Sequence, residues 1–104
     1  MSTALDIAPG TIFKSSWGYD QTNIDFYKVV KASAKSVWLV KVGQQISEDK
    51  GWYGEEVIPA PAYEVGKTFV RRPQFYGDDA WVNITSFSCA SVWNGKPALQ
   101  THPH

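Results

Sequence analysis

Short stretches of β-branched and aromatic residues alternate with glycine and proline along the whole chain, and this alternation constrains the fold more than any other feature. Gly and Pro recur about every ten residues, which is the spacing of short strands separated by turns. Valine occurs ten times and leucine, a strong helix former, only three times. No segment of useful length carries apolar residues at the three-and-four spacing of a helix. The sequence therefore predicts an all-β protein.

Six or seven short strands are expected from these segments. Their predicted bounds are Thr11–Trp17, Asn23–Ala32, Ser36–Val42, Glu55–Ile58, Lys67–Arg72, Ala80–Ala90 and Pro97–Thr101. In the second of these strands, apolar residues fall on both faces. That pattern indicates a strand covered on both sides, or a bulge near Lys28.

The segments between the strands carry their own predictions. Gly43 is expected to end the third strand, and Ser47–Lys50 is compatible with a helical turn. Pro59 and Pro61 cannot donate to a ladder, so they predict an edge strand or a linking segment. Pro73–Asp79 is expected to be a loop.

The strands are expected to form one domain, a small antiparallel barrel of the SH3-like kind. Its predicted bounds are residues 10–101, with tails at 1–9 and 102–104. Asn94-Gly95 is a strong tight-turn signal, because Gly supplies a positive φ. The last strand is expected to pair back through that turn.

Charge and composition exclude several classes of protein. Ten basic and ten acidic residues give no net charge, which argues against electrostatic capture of nucleic acid or of an anionic membrane. A chain with 43% hydrophobic residues is not disordered. The lone Cys89 makes no internal disulfide, and neither a signal peptide nor a membrane-spanning apolar run is visible. We therefore expect a cytoplasmic protein without a membrane partner.

Catalytic and metal-binding motifs are scarce. His102 and His104 are the only histidines and lie in the C-terminal tail, whereas a functional metal site needs three or four convergent ligands. No glycine-rich phosphate loop is present, and no base is placed beside a Ser or Cys nucleophile. Asp20 and Asp25, in an aromatic setting, remain as candidates for acid–base chemistry. We expect no enzyme activity, no catalytic residue and no cofactor.

Cations interleaved with aromatic residues support a different hypothesis, the binding of single-stranded nucleic acid. The candidate residues are Lys67, Phe69, Arg71, Arg72 and Tyr76. Small β-barrels bind single strands by stacking bases on such aromatic side chains. However, strand alternation places Arg71 and Arg72 on opposite faces, and one arginine pair in a neutral protein gives weak attraction.

The most distinctive run, Ser15–Tyr27, concentrates aromatic and polar side chains around one hairpin loop. One interpretation is structural: the polar side chains bond their own backbone, and Trp17 pairs with Tyr27 across the strands. The other is a recognition surface, because binding surfaces concentrate rigid aromatics beside adaptable polar groups. The candidate contact residues are Trp17, Tyr19, Asp20, Gln21, Asn23 and Tyr27.

This run also carries a resemblance to known proteins. The motifs are Trp17-Gly18-Tyr19-Asp20-Gln21-Thr22-Asn23 followed by Asp25-Phe26-Tyr27, and a later Ser86-Phe87-Ser88 with Trp93-Asn94-Gly95-Lys96-Pro97. They resemble a family of small proteins that bacteriophages and other mobile elements of bacteria encode. The similarity spans the chain from about Gly10 to Thr101, with Asn94 where Asp is expected. That family has no known active site, so the resemblance implies no catalytic residue.

The phage origin of that family implies an accessory role in infection, such as binding and blocking a host factor. We therefore expect a non-enzymatic binding module whose partner is a host protein, with a component of anti-phage defence as the specific hypothesis. Trp93 and Lys96 would join the contact surface if the two motifs meet in space. Binding of single-stranded nucleic acid is the alternative, and an enzyme using Asp20 or Asp25 is the third hypothesis.

Overall fold

All the described strands belong to one antiparallel sheet. The computed structural model describes residues 7–17, 22–33, 35–49, 54–76, 79–85 and 88–101. The strands are β1 (Ile12–Trp17), β2 (Asn23–Ala32), β3 (Val37–Asp49), β4 (Gly54–Arg71), β5 (Gln74–Tyr76), β6 (Asp79–Thr85), β7 (Ser88–Val92) and β8 (Ala98–Thr101). In the sheet they follow the order β5-β6-β7-β1-β2-β3-β4-β8. The predicted all-β class is confirmed.

The strand β2 runs through the middle of the protein and is buried on both faces. Ile24 and Phe26 point to one face, Tyr27 and Val29 point to the other, and all four are buried. The pairing with β3 skips Val30, which is exposed. The double covering that the apolar pattern predicts is confirmed, and the bulge lies two residues beyond the expected position.

Two hydrophobic cores lie on opposite faces of β2. The first core contains Phe13, Tyr27, Val29, Val37, Leu39, Val82 and Ala90. The second core contains Ile24, Phe26, Val40, Val42, Val57 and Ala98. Residues of β6 and β7 reach only the first core, whereas β8 reaches only the second. The two ends of the sheet therefore fold over opposite faces of its centre.

The sheet does not close into a barrel. Its outer strands are β5 and β8, and in the described part of the chain these two strands do not pair. The predicted closed, SH3-like barrel is therefore wrong in its closure. The reason is the apolar residues on both faces of β2, because a strand with two apolar faces needs a cover on each side. A closed barrel buries only its interior face.

A side chain, rather than a backbone ladder, bridges β4 to β6. Arg71 donates from Nε to the carbonyl of Asn83 at 2.9 Å and from Nη2 to the carbonyl of Ile84 at 3.1 Å. Its Nη1 donates to the carbonyl of Val70 at 2.8 Å, and the guanidinium lies 4.8 Å from the centre of the Phe69 ring. Arg71 therefore holds the end of β4 against β6 beside the first core.

The strands β3 and β4 form a longer hairpin than the sequence predicts. The strand β3 continues through Gly43 to Asp49, so the predicted strand end at Gly43 is wrong. A helical turn over Ser47–Lys50 is also wrong for its first three residues, which are extended, and the fourth lies outside the described residues. Pairing with β4, such as that of Ile46 with Val57, supplies the backbone hydrogen bonds that a helix would otherwise provide.

Pro59 and Pro61 lie in β4 where that strand is at the edge of the sheet. On its outer side, β4 pairs with β8 only over Gly54–Val57. On its inner side, the register with β3 breaks after Ala60 and resumes at Glu64. Pro59 lies opposite Gln44 of β3, Pro61 lies in the register break, and β8 reaches neither of them on the outer side. The predicted edge position is confirmed.

The predicted strand Ala80–Ala90 is two strands, so that prediction is wrong. β6 and β7 pair antiparallel, with Asn83 opposite Cys89 and Thr85 opposite Ser88. Residues 86 and 87, which join them, lie outside the described part of the chain. The sequence hides this reversal because the two strands alternate in phase and no Gly or Pro stands between them.

Two short strands complete the sheet. β5 lies inside the predicted loop Pro73–Asp79 and pairs with β6, so the loop prediction is wrong for those residues. After β7, Gly95 has the positive φ that the sequence predicts, 85°, within a bend of the chain at residues 95 and 96. β8 then pairs with β4 and not back with β7. Gly54 allows this close approach, because a Cβ there would collide with the carbonyl of Gln100.

Candidate functional site

A cleft opens where β1 and β7 separate. These strands pair at only two positions, Phe13 with Val92 and Lys14 with Ser91. Beyond Lys14 the described residues of the two strands no longer pair, and a cleft of about 220 Å³ lies on this side of the sheet. Its lining residues are Ser15, Trp17, Asp25, Tyr27, Ile84, Thr85 and Ser88.

Strand alternation builds the first wall of the cleft. Ser15 lies opposite Asp25 in the ladder between β1 and β2. Trp17 and Tyr27, each two residues along, therefore project to the same face. The second wall comes from the β6–β7 hairpin, where Thr85 Oγ1 and Ser88 Oγ lie 2.8 Å apart.

Trp17 stands at the end of β1 with its ring fixed although half of it is exposed. The side chain is 46% exposed, and its Nε1–H donates to Asp25 Oδ2 at 2.7 Å. The other oxygen of that carboxylate, Oδ1, lies 3.3 Å from Lys41 Nζ. Asp25 therefore joins the indole to a cation on β3 and restricts the rotation of the ring. A pre-positioned exposed aromatic ring loses little conformational entropy when a partner covers it.

Tyr27 is the most buried aromatic side chain of the cleft. It is 7% exposed, and its ring meets that of Phe69 edge to face, with the ring centres 5.7 Å apart. Burial raises the pKa of the Tyr27 hydroxyl to about 12, the carboxylate of Asp25 raises it too, and the guanidinium of Arg71 opposes both. Like any tyrosine hydroxyl, that of Tyr27 is uncharged at neutral pH and can donate a hydrogen bond.

The structure brings some of the predicted contact residues together and separates others. Trp17 and Tyr27 both line the cleft, and Asn23 lies opposite Trp17 in the ladder. The expected cross-strand pair of Trp17 with Tyr27 is wrong, because Tyr27 lies opposite Phe13. The candidates Tyr19, Asp20 and Gln21 lie outside the described residues.

The second sequence motif meets the first at Phe26, on the face of β2 away from the cleft. The Trp93 ring packs edge to face on Phe26, with the ring centres 5.9 Å apart. Its Nε1–H donates to the carbonyl of Lys96 at 2.7 Å. Phe26 belongs to the second core, on the face of β2 opposite Tyr27. The two motifs therefore meet, but Trp93 and Lys96 lie away from the cleft and do not join its lining.

Of the residues proposed for nucleic-acid binding, two are already engaged by the fold. Phe69 packs against the first core, and Arg71 is bonded to three backbone carbonyls. Lys67 and Arg72 are exposed, and Tyr76 lies in β5 with its side chain outside the described part of the structure. Phe69 and Arg71 also stack on each other, so within that part the fold itself uses both side chains.

Five cleft residues were not among the predicted contacts, namely Ser15, Asp25, Ile84, Thr85 and Ser88. Of these, Asp25 is predicted only as an acid–base candidate. Ser15 could have been found, because it is two residues before Trp17 on the same strand face. The other three come from the β6–β7 hairpin. The sequence carries no local signal for that hairpin or for its approach to β1.

Acid–base and metal chemistry find little support in the described residues. Both carboxylate oxygens of Asp25 face a donor, and Asp20 lies outside the described part. No three His, Cys, Asp or Glu side chains converge among the residues described, and His102 and His104 lie beyond them. In the same part of the chain no helix is both long and apolar enough to cross a membrane.

Comparison with known proteins adds no assignment. No family model matches the chain, and neither the curated proteins nor the solved structures contain a significant match. The geometry of the cleft is therefore the basis for a functional conclusion.

Proposed function

We propose that this chain is a non-enzymatic binding module that recognises a partner protein through the cleft between β1 and the β6–β7 hairpin. The observation that carries the proposal is Trp17. Its indole is half-exposed, yet a 2.7 Å hydrogen bond to Asp25 holds it at the cleft. Tryptophan is among the residues that contribute most at protein interfaces, above all when its ring enters a water-excluding pocket.

The chemistry of the cleft supports binding rather than catalysis. Its carboxylate, Asp25, is engaged by Trp17 and by Lys41. Its phenol, Tyr27, is protonated at neutral pH like any tyrosine, and burial raises its pKa further, to about 12. Ser15 and Ser88 contribute hydroxyls, and the carboxylate opposite Ser15, Asp25, is the one already engaged. Such groups orient a ligand by hydrogen bonds and do not supply a nucleophile or a proton shuttle.

The nature of the partner rests on the resemblance of the Trp17–Asn23 motif to small phage and mobile-element proteins. Such an origin supports a bacterial host protein as the partner and the bacterial cytoplasm as the place of action. Blocking a component of anti-phage defence is the specific hypothesis. The neutral net charge of the chain supports recognition by aromatic and hydrogen-bonding contacts, with charge attraction secondary.

Binding of single-stranded nucleic acid is the less supported alternative. It relies on Arg71 and Phe69, and these two side chains are engaged with the carbonyls of β6 and with the first core. Exposed cations remain at Lys67 and Arg72. Retention of a labelled oligonucleotide at low salt, falling steeply as salt rises, would favour this alternative.

The experiment is a capture from bacterial lysate followed by direct titration. A tagged chain is used beside two variants, Trp17→Ala and Phe75→Ala. Phe75 is 51% exposed and lies on β5, outside the cleft lining, so it is a matched control. A captured protein is purified and titrated by calorimetry. We expect Trp17→Ala to weaken binding at least about tenfold and Phe75→Ala to change it less than about twofold.

Equal loss of binding in both variants, or no loss in either, would contradict the role of the cleft. Circular dichroism and thermal unfolding must show that Trp17→Ala remains folded. If that variant unfolds, the aromatic motif is structural and the proposed site is wrong.

A further inference from the structure

At Ser16, the main-chain N–H and carbonyl of β1 point toward β7, on the edge of the strand beside the cleft. The N–H of Ile24 donates to Gln100 Oε1 at 3.2 Å, and its carbonyl accepts from Gln44 Nε2 at 2.8 Å. Both groups of Ile24 therefore point away from β1. Ser16 lies opposite Ile24, and in an antiparallel ladder such a pair does not exchange hydrogen bonds. The N–H and carbonyl of Ser16 therefore point toward β7.

The ladder between β1 and β7 stops just before Ser16. The last pair is Lys14 with Ser91, and the preceding hydrogen bond runs from the N–H of Trp93 to the carbonyl of Ile12 at 2.8 Å. Main-chain groups that bond across this ladder recur every second residue. The next pair would be Ser16 with Cys89, but the ladder in the described residues does not include it. The main-chain groups of Ser16 on β1 and Cys89 on β7 therefore face each other without pairing. We call this unpaired end of the β1–β7 ladder the unzipped end of the sheet.

We propose that an extended segment of the partner protein adds to the sheet at this unzipped end, pairs with Ser16, and places one uncharged apolar side chain in the cleft beside Trp17. This inference rests on the proposed binding function and names its mode of recognition. The main-chain N–H of Ser16 needs an acceptor and its carbonyl needs a donor. A polypeptide backbone in an extended conformation supplies both at the required spacing. Alternation in the added strand then turns every second side chain toward the cleft.

The size of the cleft favours a single side chain over a free small molecule. Pockets for drug-sized ligands enclose roughly 300–1,000 Å³, whereas this cleft has about 220 Å³. Its charges are balanced within the protein, because Asp25 is paired with Lys41. The complementary side chain is therefore neutral. The ring of Trp17 and the side chain of Ile84, which face the cleft from opposite walls, favour an aliphatic or aromatic residue.

Another free edge of the sheet fits an added strand less well. The outer side of β4 beyond Val57 is unpaired by β8, but Pro59 and Pro61 interrupt it and its register with β3 is broken. Natural sheets use such prolines and bulges to prevent further pairing. The edge at Ser16 contains no proline and adjoins a cleft.

The test uses a random linear-peptide display library selected on the immobilised chain. We expect enriched peptides to share an apolar residue and to bind when synthesised. N-methylation at alternate positions of the peptide backbone should weaken binding about tenfold at those positions whose N–H pairs with β1, and little at the positions between. Equal sensitivity at all positions, or none, would overturn strand addition.

Two variants at one position separate the backbone from the side chain. Ser16→Pro removes the N–H that points toward β7 and spares the ladder to β2, because that ladder does not use it. We expect it to weaken the selected peptide about tenfold or more, while Ser16→Ala changes binding less than about twofold. If Ser16→Pro fails to fold, the N-methylated peptides decide the question alone.

The outcomes also distinguish this inference from the proposed function. A purified partner that needs Trp17 but binds Ser16→Pro as tightly as the original chain would leave the proposed function standing and overturn strand addition. A library that yields no binding peptide would likewise overturn it. A peptide whose affinity ignores Trp17→Ala would contradict the use of the cleft.

Discussion

The indole Nε1–H of Trp17 donates to Asp25 Oδ2 at 2.7 Å, across two neighbouring strands. Through this bond the carboxylate of a central strand fixes an aromatic ring that the core does not hold. Trp17 is 46% exposed, so its position depends on the bond more than on packing. The relationship joins the two residues from which the functional proposal can be tested most directly.

Removing the carboxylate should loosen the ring without unfolding the protein. In Asp25→Ala the indole N–H loses its acceptor, so the ring is free to rotate before binding. Fixing the ring then costs conformational entropy when the partner binds. We expect the affinity for the captured partner to fall about fivefold to tenfold by calorimetry, which corresponds to about 1 kcal/mol. Lys41→Gln is the control, because it removes the cation and leaves the bond from Trp17 to Asp25. A larger effect in the control would contradict this account.

Trp17 and Phe13 should contribute very differently to stability although both lie on β1. Phe13 is fully buried in the first core, and truncating such a ring costs about 3–5 kcal/mol. Trp17 is half-exposed, so Trp17→Ala should cost about 1 kcal/mol or less. Urea denaturation of Phe13→Ala and Trp17→Ala measures both free energies of unfolding. Comparable losses would show that Trp17 supports the fold.

Arg71 should behave as a structural residue. Its guanidinium bonds the carbonyls of Asn83 and Ile84, so Arg71→Ala should reduce the free energy of unfolding by about 2 kcal/mol. Arg71→Lys should not restore it, because an ammonium cannot reproduce the planar fork. Arg72 is exposed, and Arg72→Ala should change stability by less than about 0.5 kcal/mol. The contrary result, a stable Arg71→Ala chain that loses oligonucleotide binding, would revive the nucleic-acid hypothesis.

Stability should fall at alkaline pH through Tyr27. Its pKa is raised from 10.0 to about 12 in the folded protein, first by burial. The folded state then holds this proton more tightly than the unfolded chain does. The stabilisation is complete below pH 10 and is lost as the pH rises toward 12, by an amount on the order of 2 kcal/mol.

Chemical denaturation at several values of pH checks this prediction. The comparison is with Tyr27→Phe, which lacks the ionisable hydroxyl. The difference in free energy of unfolding between the two proteins should shrink by the stated amount above pH 10. A difference that stays constant would contradict the burial of the hydroxyl.

Local pattern was enough to predict the strands that lie in the middle of the sheet. Ile24 and Tyr27 reveal by their spacing that β2 has two apolar faces, and the burial of both side chains agrees with this. Because the same pattern requires a cover on both faces of β2, it also argues against one closed barrel. The two cores make this consequence clear. Strand alternation likewise places Trp17 and Tyr27 on one face, and both line the cleft.

The rest depended on contacts between distant parts of the chain. Nothing at Ser86-Phe87 has the glycine, proline or asparagine of a tight turn, so the β6–β7 hairpin is invisible to local reasoning. Without that hairpin, Ile84 and Ser88 cannot be assigned to the cleft. The role of Arg71 is hidden for the same reason, because its carbonyl partners lie on β6.

Phe26 and Tyr27 are adjacent in sequence, yet their side chains enter separate cores. The strand β2 contributes side chains to both cores, so neither core can unfold while the other stays folded. Thermal unfolding should consequently be a single cooperative transition. A cut after β2 would divide the residues of both cores between the two fragments, so we expect neither fragment to fold alone.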